Sequence, residues 1–570
     1  MDVDSEKGTF PNNELKTEIV EVSKFRRALP QILATSAKNL ILLDLGMTIA
    51  FPTLVIAALL NAKGEVTFDN NSASWFGSIV FICQPLGSII SGTVLEPLGR
   101  KKSMLMVNIP HLIGWYLFYS AISIPVLFTA AVLMGLGVGF MEAPVITYVG
   151  EISEPRLRGI LTSYSGIFVT IGLIIEFLLG TLYGWNKAAF ISSFIPIITI
   201  VAISQIPETP MWLLSKGRVQ EAEKSLQWLR GWVPASNVQK ELNELIRYSN
   251  ASKLILKEKK SKSTNKNAPM AFTNEVSLND EISNKSNVEL TVANVDGTDD
   301  STKYSNHANG NVIAQQENDK VVEKKKAIDD VTNETTTLRV TERKATIKEL
   351  IMDTMRPQML RPLSLVIAFF FFHNGSGFPA IRPYMVNVFE ELRFPVDAHW
   401  ATVIISTIGF LGVIVCTIFV KYVGKRFLTL ASLVGCAISI LSLSIWSLLN
   451  ENSKDRSPCW SPFLFFILLS FSFSFGIAPI PWMILSEVFP FRGRGFASGV
   501  AAAISYLMGF VTSKTFLDLK SCLGLSGVFS LYGCITITGI VYVYYKLPET
   551  EGRSLEDIEN LYKSEKKTKI

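Results

Sequence analysis

Gly99-Arg100-Lys101 stands between two long apolar stretches and returns 325 residues later, again between apolar stretches, as Gly424-Lys425-Arg426. Glu151, followed by Arg156 and Arg158-Gly159, returns 336 residues later as Glu487, followed by Arg492-Gly493 and Arg494-Gly495. Pro207-Glu208-Thr209 returns 341 residues later as Pro548-Glu549-Thr550. Three charged strings repeated in one order at nearly constant spacing describe a duplicated unit. A duplicated helical unit in a bilayer carries its site between the two copies.

Composition agrees with a bilayer. The chain has 570 residues, 48% of them hydrophobic, with 36 Phe and a mean hydropathy of +0.32. That is too apolar for a soluble globule. About twelve stretches of some 20 apolar residues are long enough to cross about 30 Å of hydrocarbon. They centre on Val55, Phe81, Gly114, Gly135, Leu173, Ile197, Phe370, Gly409, Leu441, Phe471, Leu507 and Ile537. The expected fold class is therefore an all-α membrane protein with twelve transmembrane helices in two pseudo-symmetric six-helix halves.

An even number of spans puts both termini on one side. Lys24, Arg26 and Arg27 precede the first span, and Arg100, Lys101, Lys102, Arg156 and Arg158 lie in loops of the same side. Positive residues collect on the cytosolic face, so both termini are expected there. No cleavable signal peptide is visible in the polar first 35 residues. The net charge of +5 arises mainly in those loops. It speaks for contact with anionic lipid headgroups, not for nucleic acid. The six cysteines show no metal-ligand spacing, and no metal or other cofactor is expected. Cys83, Cys416, Cys436 and Cys534 fall in spans. Cys459 and Cys522 fall in outer loops, where a disulfide and two free thiols are both open.

The segments read as follows: 1–35 a cytosolic tail; 36–206 the first six-helix bundle; 207–250 cytosolic amphipathic helices; 251–346 a disordered insert; 347–361 a lead-in; 362–546 the second bundle; 547–570 a cytosolic tail. Within 207–250, Trp212, Leu213, Leu226, Trp228, Leu229, Leu242 and Leu245 form an apolar set among charges. The insert is rich in Asn, Lys, Glu, Asp, Ser and Thr, with almost no aromatic residues, so it lacks the means to bury a core. Asn70-Asn71-Ser72 makes Asn70 a glycosylation acceptor in the first outer loop, whereas Asn250, Asn284 and Asn333 belong to cytosolic sequons.

A cation at the cytosolic end of one span can pair with a carboxylate at the end of its neighbour. Two such clusters, one per half, would tie the halves together when that side is shut. Exposed pairs contribute about 0 to 1 kcal/mol each, yet several acting together supply the few kcal/mol that choose between outward-open and inward-open populations.

Longer strings surround these charges. They include Gly135-Leu-Gly-Val-Gly139 leading to Pro144, Tyr148, Glu151 and Arg158-Gly159, and Pro207-Glu-Thr-Pro210 with Gly217, Glu221-Ala222 and Gly231. Further on come Gly476-Ile-Ala-Pro479-Ile-Pro-Trp482 with Glu487 and Arg494, then Pro548-Glu-Thr-Glu-Gly552-Arg553. With these motifs the chain resembles the sugar porter (glucose-transporter-type) family of the major facilitator superfamily, and within it the insect facilitated trehalose transporter-like proteins. The resemblance covers both halves. It implies the major facilitator fold and a cytosolic latch of Arg100, Lys101, Glu151, Arg158, Glu208, Lys425, Arg426, Glu487, Arg494 and Glu549. Two positions depart from the family pattern: Lys421 stands where an acid is frequent, and Ala131 where an arginine is usual.

Sugars are held by neutral donors and acceptors and by aromatic faces that stack on the C–H side of the ring. Gly375, Gly377 and Pro379 interrupt the seventh span, and a broken helix exposes backbone only where it lines a cavity. The candidate substrate-binding residues are His373, Asn374, Trp482, Ser505, Tyr506 and Thr48, with Tyr384 as the outer gate. Glutamines usual before Ser376-Gly377 are replaced by His373-Asn374, the fifth-span glutamine by Gly166, and the eleventh-span asparagine-tryptophan pair by Ser505-Tyr506. Asp44, Glu142, Glu176, His373 and Arg382 are ionisable residues within spans and must face the bundle interior or an interface. Pairing of Arg382 with one of the acids is the simplest expectation.

These observations describe a carrier, not an enzyme. It would move a sugar, trehalose or a glucose-like solute, down its gradient by alternating access at the plasma membrane, as a monomer embedded in lipid. Two rivals are a non-transporting sugar sensor signalling through the long insert, and a proton-coupled carrier of another small polyhydroxylated or organic solute.

Overall fold

About twenty residues wound as an α-helix cross the hydrocarbon of a bilayer. The computed structural model, which describes residues 23–63, 66–247, 249, 357–450, 458–489 and 494–549, is assembled from such helices. All of these residues belong to one compact unit; a second unit, Leu254–Ile347, and with it the insert read as disordered, lies outside the described residues. So do most of the terminal tails.

Span 1 is Lys24–Leu59, span 2 Asn70–Leu98, span 3 Arg100–Tyr119 and span 4 Ile124–Ile152. Spans 5 and 6 occupy Pro155–Ser192 and Phe194–Gln205, and the chain reverses between them at Gly184, where φ is +77°. Span 7 is broken into Pro357–Gly375, Phe378–Ile381, a 3₁₀ turn at Arg382–Tyr384 and Met385–Glu391. Span 8 is Ala398–Val423 and span 9 Lys425–Leu449. Span 10 is broken into Trp460–Phe475 and Ile480–Glu487. Spans 11 and 12 share Arg494–Lys546, reversed at Gly524, where φ is +68°.

By length and hydropathy alone, eight helices among the described residues qualify as spans, or nine with the bent seventh. Two of the eight are continuous runs of 50 residues, more than twice what one crossing needs. A left-handed glycine divides each of them into two. Span 3, only 20 residues long and carrying Arg100, Lys101 and Lys102, completes twelve.

The packing repeats in the two halves. Span 2 lies along span 4, span 3 along spans 4 and 6, and span 1 along span 5; correspondingly, span 8 lies along span 10, span 9 along spans 10 and 12, and span 7 along span 11. Between halves, span 2 meets span 11 and span 5 meets span 8, two contacts that a pseudo-two-fold axis exchanges. Close approach is bought with small residues: a Cβ on Gly139 would collide with the Gln84 carbonyl, and one on Gly172 with the Leu43 carbonyl.

At the end of the first half that carries the repeated charges, Pro210–Ser215, Val219–Leu229 and a helix over 235–247 gather Trp212, Leu213, Leu226, Val238 and Leu242 into a small core of their own. Leu229 packs with the first bundle instead. Arg230 anchors this layer through Glu241 at 2.5 Å and the Ile152 carbonyl at 3.2 Å. Span 1 begins twelve residues before the apolar stretch, and its Arg26 donates to the Gly231 carbonyl at 3.1 Å.

Candidate functional site

A helix start exposes unpaired N–H groups that an anion satisfies. At the start of span 3, Glu208 does this: Oε1 accepts from Arg100 N–H at 3.2 Å and Oε2 from Lys101 N–H at 3.0 Å. Burial pushes the Glu208 carboxyl up, while the backbone N–H groups of Thr209, Lys101 and Arg100 pull it down. The Arg100 guanidinium then reaches Glu151 at 2.9 Å and Glu96 at 3.1 Å, and Thr209 donates to Glu151 at 2.5 Å. The start of span 9 has the same construction. Glu549 accepts from the N–H groups of Lys425 and Arg426, both at 3.1 Å, and Lys425 Nζ reaches Glu487 at 2.8 Å. Both helices are preceded by a left-handed glycine, Gly99 at φ +90° and Gly424 at φ +86°, on which a Cβ would fall against the capping carboxylate. Lys101 Nζ and the Arg426 guanidinium both turn to backbone carbonyls, of Ser204 and Tyr544.

The ion pairs just described lie within one half, where the sequence suggested ties between halves. Arg158 is exposed and joins no ion pair among the described residues; the Arg494 side chain lies outside them.

Contacts across the halves occur at the opposite end. Thr53 of span 1 donates to the Arg382 carbonyl at 2.8 Å, Ser513 of span 11 to the Gly77 carbonyl at 3.1 Å, and Lys514 to Ser74 at 2.7 Å. Tyr384 is fully buried beside them, its hydroxyl donating to the Ser513 carbonyl at 3.1 Å and its ring stacked on Phe516. This end is shut. Small hydroxyls meeting backbone carbonyls leave no sequence signature, and of the residues gathered here the sequence singles out only Tyr384, as the outer gate, and Arg382, for its charge. Asn70, expected in a loop, is instead the exposed first residue of span 2, behind Asp69 as the N-cap. Cys459 and Cys522 are free thiols.

Midway along the bundle the broken spans meet. His373 Nδ1 lies 2.9 Å from the Ile477 carbonyl, joining the break in span 7 to that in span 10. Trp482 is half-buried between Phe370, at 4.9 Å between ring centroids, and Tyr506, at 6.0 Å. Tyr506 in turn faces the Glu142 carboxylate of the other half, closely enough to interact with it. His373, Trp482 and Tyr506 are thus grouped as the sequence suggested. Two other candidates are occupied: Thr48 is buried and its hydroxyl donates to the Asp44 carbonyl at 2.9 Å, and the Asn374 amide donates to the Phe370 and Ser505 carbonyls. Ser505 is buried; through its carbonyl it holds span 11 to span 7.

The expected pairing of Arg382 with an acid is not what the structure contains. Its guanidinium lies over the Phe378 ring, 5.4 Å from the centroid. Asp44 meets His111 Nδ1 and accepts from Trp115 Nε1 at 2.7 Å, while Glu176 accepts from Ser192 at 2.7 Å. Asp44 and Glu176 have each found a neutral or imidazole partner within the first half. His111 and Trp115, one helical turn apart on span 3, were not picked out from the sequence, where a lone histidine and a tryptophan in an apolar run read as ordinary core.

Twelve helices in two exchanged halves, with matching caps and broken helices meeting midway, define a membrane carrier of the major facilitator fold. Solved structures give the same architecture: the chain aligns with the proton:xylose symporter XylE bound to 6-bromo-6-deoxy-D-glucose at a TM-score of 0.64, with 16% identity over 94% of this chain and all of that one. An inward open conformation of the xylose transporter XylE from E. coli aligns at 0.60, with 15% identity, covering 92% and 98%. The profile of the sugar (and other) transporter family matches residues 32–273 and 294–562, and the chain belongs to that family. Among similar curated proteins are the facilitated trehalose transporters Tret1 of Culex quinquefasciatus and of Polypedilum vanderplanki, each 27% identical over 93% of this chain and over 85% and 87% of their own lengths.

Proposed function

We propose that this carrier moves a neutral sugar, trehalose first and glucose second, down its concentration gradient by alternating access at the plasma membrane. The end bearing Glu208 and Glu549 faces the cytosol in this reading, together with both termini, and Asn70 faces outward and accepts a glycan. The observation that carries it is the meeting of the breaks of spans 7 and 10, where the partly exposed Trp482 and Tyr506 bring rings beside polar groups, the chemistry that suits a pyranose. The relatives named as trehalose transporters supply the first choice of solute. The closed end, held by Thr53, Ser513 and Lys514, supplies one gate. The charged caps act at the other: they fix the ends of spans 3 and 9, whose neighbours must part and rejoin in each cycle.

The test is uptake of labelled trehalose, glucose and a polyol by oocytes with surface protein measured, at two external pH values. Saturable trehalose uptake insensitive to pH, and lost in Glu487→Gln, is expected. Surface protein that moves none of the three overturns the sugar assignment; uptake that rises as external pH falls replaces a facilitator with a proton-coupled carrier.

A further inference from the structure

Among Asp44, Glu142 and Glu176, the acids that the sequence places within spans, Glu142 differs in its exposure. Asp44 and Glu176 are 2% and 0% exposed and are held inside the first half. Glu142 on span 4 is partly exposed, as are its neighbours Ser88 and Tyr506. A carboxylate has about four acceptor positions. Here Ser88 of span 2 donates to Oε2 at 3.2 Å and the Tyr506 hydroxyl of span 11 lies close, and no cation pairs with it among the described residues. A charged group inside a membrane protein with only neutral hydroxyl partners is costly. That cost is tolerated where a solute can meet the group.

We propose that Glu142 is a specificity-determining residue of the solute site: its two oxygens accept hydrogen bonds from adjacent hydroxyls of a neutral polyhydroxylated solute, taking over from Ser88 and Tyr506, and its charge excludes anionic analogues. The assignment rests on the transport reading above. The position suits it. Tyr506 joins the carboxylate to Trp482 and Phe370, so one solute ring can lie on the aromatic face while its edge hydroxyls reach the carboxylate across the line between halves. Hydrogen bonds to an ionised acceptor are about twice as strong as neutral ones, and they take the place of the amides missing at Gly166 and His373. A cationic solute fits less well, because Arg382, at the far end of the same broken span 7, has no carboxylate partner among the described residues and repels it.

A strut between halves would also place a carboxylate on Tyr506, so the test reads selectivity as well as rate. Uptake of glucose, trehalose and glucuronate, the anionic analogue of glucose, is measured in oocytes expressing the full chain at known surface density. The wild type is expected to take up the neutral sugar and exclude glucuronate. Glu142→Gln is expected to raise the KM for the neutral sugar about tenfold at similar maximal rate and to admit glucuronate. Glu142→Asp, which keeps the charge but withdraws it by one methylene, is expected to raise KM about threefold and still exclude glucuronate. An unchanged KM in both variants overturns the assignment while the transport reading stands, as does a wild type that carries glucuronate as readily as glucose. A wild type that carries no sugar overturns both.

Discussion

The two halves are alike at their charged ends and unlike inside. Glu208 on Arg100 and Lys101 in the first half, and Glu549 on Lys425 and Arg426 in the second, are the same cap on the same turn, down to a left-handed glycine before each helix. Inside, the first half has unbroken spans 1 to 4 and a buried polar cluster of Asp44, His111 and Trp115. The second half has spans 7 and 10 broken at Gly377 and Gly476, with rings around the breaks. Helix ends must solve one problem twice, the satisfaction of exposed N–H groups next to a reversing chain. Interiors are free to diverge, one half built of unbroken helices and the other jointed at two spans.

The largest effect is expected where the interiors differ. Asp44→Leu removes the acceptor of two buried donors from the first half and is expected to cost about 3 to 5 kcal/mol. It would be seen as a steep fall in the thermal midpoint of purified protein and in surface delivery. A midpoint near that of the wild type would show that the polar cluster is not what holds this half together.

Next come the caps, where the halves should agree. Glu208→Gln and Glu549→Gln each replace a charged acceptor of two backbone N–H groups by a neutral one, at about 1 to 3 kcal/mol apiece. Thermal unfolding should register similar losses for both, with uptake per surface molecule reduced in both. A large loss in one half with none in the other would break the equivalence.

The smallest effect belongs to the closed end. Ser513→Ala and Thr53→Val each remove a single cross-half hydrogen bond, about 1 kcal/mol, which moves an open fraction several-fold without unfolding either half. Labelling of a cysteine placed at Ser78, buried one turn further along span 2 and bonded only within its own helix, by a membrane-impermeant thiol reagent should quicken several-fold in each. No change in labelling would mean that Lys514 and the buried Tyr384 hold this end shut unaided.

Much of this molecule was legible as text. Twelve spans, two halves and the breaks of span 7 follow from apolar length, from repetition and from glycine and proline; repetition also singles out Glu208 and Glu549, read as a latch between halves, whereas the structure makes each a helix cap within its own half. Trp482, Tyr506 and His373 were marked as site residues and stand together at the breaks. Thr48 and Asn374 were marked too, but their polar groups are occupied by backbone carbonyls. Residue type does not say whether a hydroxyl or amide turns to its own helix or to a cavity.

The sequence by itself determined what repeats and what a bilayer demands, because hydrophobic length, charge at helix ends and backbone breaks act locally along the chain. Only the tertiary structure decided who partners whom. Arg100 closes on Glu151 and Glu96, His111 on Asp44, and Thr53 on a carbonyl 329 residues away. A buried polar group takes the nearest partner that folding brings to it, and that choice depends on which helices cross, at what height, and which face each presents.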